Sequence, residues 1–183
     1  MPSGNYACAM SRSALILSTL FLAACGREEV VVVPIDDGQE QLVLTPSPDT
    51  QGALWSESRD GQAIEFGAPD DAPLLSLACT ISTSDTAPQI TVIRHARSQP
   101  GAKALFAILG NGIATRLNLD AQLADGEGWR WQGTFPAVSG DFDVFTGPRG
   151  IEATLPGAGT VNLPASSMPG QFISWCRRNG EDA

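Results

Sequence analysis

Basic residues are scarce in this chain. Eleven Lys and Arg stand against 20 Asp and Glu, a formal net charge of −9 in 183 residues. Nucleic-acid binding needs clustered Lys and Arg to displace counterions, so the charge balance excludes a nucleic-acid partner. There is one histidine, His95. No H-E-x-x-H motif and no Cys/His cluster occur, so no metal site is expected. No G-x-S-x-G elbow seats a serine-hydrolase nucleophile. The short Gly-rich stretches lack phosphate-loop and dinucleotide contexts, so no cofactor is expected. The 19 Gly and 13 Pro are spread without period, which argues against coiled coil, collagen and helical bundle.

A long apolar run is also missing. The longest, Ser13 to Ala24 (SALILSTLFLAA), has about 12 residues against the roughly 20 that span a bilayer. Arg12 precedes it, and the order of charge and apolar run fits a secretory signal. Met10 gives this signal a more compact start than Met1. The run ends at Leu22-Ala23-Ala24-Cys25. This tetrapeptide resembles the lipobox of bacterial lipoproteins. The resemblance implies cleavage before Cys25 and acylation of that residue on its thiol and its new amino group. Several acyl chains anchor far more firmly than the single chain that binds only marginally. In the enterobacterial pattern an Asp after the lipidated Cys retains a protein at the inner membrane. Gly26 stands there instead, so the resemblance favours the periplasmic face of the outer membrane.

Four regions follow: a signal peptide at 1–24, a lipidated N-terminus and tether at 25–52, a β-rich domain at 53–178 and a disordered tail at 179–183. The segment REEVVVVPIDDGQEQLVLTPSPDT from Arg27 carries acidic pairs and three Pro. As a tether of this length it would reach roughly 25–30 Å. Alternatively, Val30 to Val33 pairs as an edge strand.

The domain shows short apolar segments broken by turn residues. Ala63–Phe66, Leu74–Ile81, Gln89–Ile93, Ala114–Leu119 and Gly128–Phe135 read as strands. Ile151–Leu155 and Thr160–Leu163 flank Pro156-Gly157-Ala158-Gly159, a hairpin signal. Six or seven such strands predict a mainly β (α+β) fold, an antiparallel sandwich or small barrel. Two helices are expected. One is a short middle helix at Gly101–Leu109, closed by Gly110-Asn111-Gly112. The other is a C-terminal helix at Met168–Arg178, capped by Ser167.

Once Cys25 is lipidated, Cys79 and Cys176 remain as a pair in an oxidising compartment. Their disulfide would close 97 residues, worth about 4–5 kcal/mol in the chain-entropy account. It would pin the last helix to the sheet.

Beyond the lipobox, four motifs share a further likeness. They are Phe66-Gly67-Ala68-Pro69, the run LLSLAC at 74–79, GWRWQGTF at 128–135 and Trp175-Cys176-Arg177-Arg178. The stretch Trp55–Arg178 resembles an uncharacterised group of small lipoproteins and periplasmic proteins of alphaproteobacteria, especially sphingomonads. These motifs read as packing and disulfide positions, so the resemblance brings no catalytic residues.

Candidate chemistry is sparse. His95, between Arg94 and Arg97, reads as a surface-loop residue. Asp141 and Asp143, with Glu152 beyond, are the paired carboxylates that glycoside hydrolysis would need. Trp129 and Trp131 share one strand face, either as core or as a sugar platform. Arg94, Arg97 and Arg116 are candidates for an anion-binding patch. Three functional readings follow. The first is a lipid-anchored, non-catalytic module that binds an envelope protein or glycan. The second is a carboxylate-based glycan or peptidoglycan hydrolase. The third is an inhibitor resembling the membrane-bound lysozyme inhibitors, whose recognition loop is not seen here.

Overall fold

The computed structural model describes residues 46–84, 86–124, 126 and 128–180. The signal segment, the lipobox Leu22-Ala23-Ala24, Cys25 and the tether up to residue 45 lie outside the described residues. Among the described residues nine strands occur: β1 (Leu54–Glu57), β2 (Ala63–Gly67), β3 (Leu75–Thr80), β4 (Gln89–Arg97), β5 (Lys103–Gly110), β6 (Ile113–Ala124), β7 (Gly128–Pro136), β8 (Ile151–Leu155) and β9 (Gly159–Leu163). A 3-10 turn covers Gly140–Phe145, and one helix, α1 (Met168–Arg177), follows the last strand. Every strand pairing is antiparallel, in the order β1-β2-β3-β4-β7-β6-β5-β8-β9. The sheet curls into a nearly closed barrel, so of the two β architectures expected the barrel is the one adopted.

Alternation along the strands builds the interior. Ile64 and Phe66 of β2, Leu75 and Leu77 of β3, and Ile90 and Val92 of β4 are fully buried on one face. Phe106, Ile108, Leu117 and Leu119 continue it across β5 and β6. Gly133 narrows the barrel on β7. A Cβ there would stand 2.6 Å from the Asn118 carbonyl oxygen and 2.8 Å from the Leu119 side chain.

The expected middle helix is a strand. Lys103–Gly110 pairs with Ile113–Asp120 in an eight-pair hairpin. Asn111 and Gly112 both take positive φ, 52° and 80°. Asn-Gly with positive φ at both positions is the two-residue turn whose twist matches a hairpin. The same three residues that suggest a helix cap therefore turn one strand into the next. The helix face drawn through Leu105, Ile108 and Leu109 splits accordingly. Ile108 is inside, and Leu105 and Leu109 are each 50% exposed on the outer face.

The link from β4 to β5 crosses the barrel end over β7 and β6. Ser98 N–H donates to the Trp129 carbonyl, and Ala121 N–H to the Ala102 carbonyl. Helix α1 closes the barrel on another side, burying Phe172, Ile173 and Cys176. The Cys79–Cys176 disulfide is present and ties α1 to β3. Ser167 supplies no capping bond; the Ser166 hydroxyl instead accepts from the Met168 N–H at 3.2 Å. Asn179, at φ 62°, and Gly180 finish the helix, with Gly180 N–H returning to the Trp175 carbonyl.

Candidate functional site

Arg94 occupies an inward position on β4, in step with Ile90 and Val92, and is only 2% exposed. Its guanidinium bridges two parts of the barrel. Nη1 donates to the Leu74 carbonyl at 2.8 Å and Nη2 to the Ala158 carbonyl at 3.0 Å. Leu74 precedes β3, and Ala158 lies in the β8–β9 turn. The Nε–H has no acceptor, and Arg94 makes no ion pair among the described residues. Burial pushes the Arg94 guanidinium down to about 10. A buried cation without a counter-charge is costly, and strands rarely tolerate one inside.

Arg94 lines an open cavity of about 430 Å³ together with His95, Arg97, Pro46, Pro48 and Ala158. No Asp or Glu lines it. In a chain with 20 acidic residues, this wall is locally positive. The segment before the first strand helps to form it. Ser47 Oγ accepts from Thr160 N–H at 3.0 Å, and a Cβ on Gly159 would meet the Ser47 backbone at 2.6 Å.

His95 lies within β4 rather than in a loop, because that strand runs on to Arg97. Its Nε2 is 2.7 Å from Ser76 Oγ. Ser76 is 3% exposed, too buried to serve as an attacking hydroxyl, so the pair fixes the imidazole at the cavity wall. Arg97 is exposed at the rim. Arg116 is not brought there; it stands exposed on β6, opposite Ala107 of β5.

Trp129 and Trp131 do share a face, and it is the inner one. Trp131 is 8% exposed and opposes Arg94 on one side and Ala121 on the other. Trp129 is half-buried opposite Leu123. They form no exposed stacking platform. The Trp131 Nε1–H has no acceptor among the described residues, nor has the buried Ser98 Oγ.

The paired carboxylates are occupied with the fold. Asp141 accepts from Thr115 Oγ1 and Ser139 Oγ, both at 2.7 Å, at the start of the 3-10 turn. Hydrogen bonds from Ser139 and then Thr115 hold its carboxyl below the usual range. A general acid needs the opposite shift. Asp143 pairs with Arg177 of α1 at 2.8 Å. Glu152 projects outward from β8, opposite Leu109. Among the described residues no group of three or more His, Cys, Asp or Glu could hold a metal.

Comparison of the chain with protein-family models, with curated proteins and with solved structures finds no match.

Local sequence does not mark Ser76, Ser98 or the carbonyl clamps of Leu74 and Ala158. One signal was available for Arg94. In Gln89-Ile90-Thr91-Val92-Ile93-Arg94, period-2 parity puts Arg94 on the side of Ile90 and Val92.

Proposed function

We propose that the chain is a lipid-anchored protein of the cell envelope, facing the periplasm from the outer membrane. Its β domain works there as a non-catalytic binding module for an envelope protein or glycan that carries acidic groups. Anchoring through Cys25 rests on the lipobox sequence. The binding role rests on one observation: Arg94 is buried in the barrel without a counter-charge among the described residues and lines an open cavity whose described lining holds no acidic residue. An apolar residue at this inward position would stabilise the fold as well or better. A guanidinium kept there under such cost is what an acceptor-bearing ligand would use. A hydrolase reading gains nothing from Asp141 and Asp143, whose carboxylates are held by Thr115, Ser139 and Arg177.

The test is crosslinking capture from native envelopes with the wild-type protein and the Arg97→Glu variant. Arg97 is exposed, so its charge reversal leaves the barrel intact. The reading expects a specific partner captured by the wild type and lost in the variant. Equal capture by both forms, or none by either, contradicts it.

A further inference from the structure

Among the described residues, three buried side-chain nitrogen or oxygen atoms without a hydrogen-bond partner lie on neighbouring segments: β4, β7 and the β4–β5 link. They are Arg94 Nε, Trp131 Nε1 and Ser98 Oγ. Arg94 and Trp131 are direct partners in the β4–β7 register. Both point inward, as their burial shows. Cβ atoms of such opposed residues lie about 4.5–5.5 Å apart. Ser98 is placed beside them by the bond from its N–H to the Trp129 carbonyl, two residues before Trp131. Ala96, between Arg94 and Ser98, packs on the core and marks the same inner side.

Native proteins leave few buried donors unpaired, and each such donor calls for a specific explanation. Arg and Trp nitrogens only donate, and the Ser hydroxyl can donate as well. The cluster therefore asks for an acceptor that bears no proton, and the unbalanced charge of Arg94 asks for an anion. One buried guanidinium matches one negative charge. A planar, singly charged carboxylate has two acceptor oxygens for two N–H donors and fits better than a doubly charged phosphate. The cavity that Arg94 lines has apolar walls at Pro46, Pro48 and Ala158 for the remainder of such a molecule.

We propose that Arg94 and Trp131, with Ser98, form a binding site for the carboxylate group of a small ligand that enters past Arg97. This deepens the binding-module reading and rests on it. Trp131 is then a polar anchor through its indole N–H rather than a sugar platform. His95, held by Ser76, and Arg97 shape the approach.

The test uses the full chain purified in detergent, with 15N in its four Trp indoles. Sodium N-acetylglycinate is titrated against sodium chloride at matched ionic strength, and inorganic phosphate is titrated in parallel. The expected result is a saturable shift of the Trp131 Nε1–H with a midpoint of about 1 mM, absent from Trp55 and Trp175. Phosphate is expected to bind at least about tenfold more weakly. By calorimetry, Trp131→Phe is expected to weaken the carboxylate about tenfold. Arg97→Ala, which leaves the barrel interior untouched, is expected to weaken it about threefold.

Phosphate binding as tightly as the carboxylate overturns the assigned ligand class. An equal shift with chloride overturns the site, as does the absence of any saturable shift. A long-lived water at the Trp131 Nε1–H that persists in saturating carboxylate also overturns it, because the donors are then satisfied by water. Envelope capture separates this failure from that of the broader reading. Capture that depends on Arg97 without a carboxylate response removes the ligand class alone, whereas loss of both removes both.

Discussion

Arg94 and Trp131 face each other across β4 and β7 inside the barrel, and each leaves one N–H without an acceptor. Neither residue is at the surface, and neither has all its donors satisfied among the described residues. Core packing alone accounts for the Trp131 ring but not for its indole N–H, and it does not account for a guanidinium at all. The pairing places two unsatisfied N–H donors side by side at this lip of the barrel.

Replacing Arg94 by Lys retains the charge but not the fork that clamps two carbonyls. Lys has one nitrogen to offer where Arg94 uses two, to Leu74 and to Ala158. The variant is expected to lose about 1–3 kcal/mol of stability, because one ammonium does not reach both carbonyls as the fork does. The Leu74 carbonyl also accepts from the His95 N–H, whereas the Ala158 carbonyl depends on Arg94. Chemical denaturation followed by Trp fluorescence measures this. A variant as stable as the wild type would show that the two bonds do not hold the β8–β9 turn.

The Cys79–Cys176 disulfide closes a 97-residue loop. Its removal by the double change Cys79→Ser and Cys176→Ser should cost about 4–5 kcal/mol or less, by release of chain entropy in the unfolded state. Non-reducing mass spectrometry should find no free thiol at either position in the wild type. Thermal melting with and without reductant should reproduce the double variant's loss.

Asp141 sets an acid limit on stability. Its carboxyl is lowered in the folded protein by Ser139 and Thr115, so the folded state binds the proton less readily than the unfolded chain. This contribution is present above the ordinary Asp range, about pH 4, and is lost as pH falls through the lowered value. Asp141→Asn should therefore be less stable at neutral pH and flatter in its acid dependence. Urea midpoints from about pH 6 down to about pH 2.5 test it, with parallel curves as the contrary result.

Gly133 carries a steric prediction. Ala there brings a Cβ against the Asn118 carbonyl and the Leu119 and Phe135 side chains, all within 2.8 Å. Overpacking of this kind costs about 1–3 kcal/mol. The loss should appear as a lowered melting temperature with the disulfide intact.

What the sequence disclosed follows from how local each signal is. The period-2 patterns of β2, β6 and β7, the apolar run of β3 and the turn signal between β8 and β9 are contained in a few residues each and are legible. The disulfide is legible from cysteine number together with the oxidising compartment that the lipobox leads one to expect. Strand β5 was not, because KALFAIL reads as a good helix former, and pairing with β6 overrides that propensity. The short β1 has only Trp55 buried, too little to show a pattern. The site was half legible. Parity alone turns Arg94 inward, yet its clamps at Leu74 and Ala158 stand 20 and 64 residues away. Nothing in the local sequence distinguishes Trp131 as an unsatisfied donor from Trp131 as plain core.

Anchoring has its own check. Cys25→Ser should abolish palmitate labelling and move the protein from the membrane to the soluble envelope fraction. Unchanged labelling and fractionation would contradict lipidation at Cys25.

The central claim, that the Arg94–Trp131 lip is a ligand site, is tested most directly by thermal melting of the wild type in rising carboxylate. A ligand that binds only the folded state stabilises it by about 1.4 kcal/mol per tenfold increase above its dissociation constant. The account predicts a melting temperature that climbs with the logarithm of carboxylate concentration and hardly moves in Trp131→Phe. A flat response, or the same climb with chloride at equal ionic strength, would contradict it.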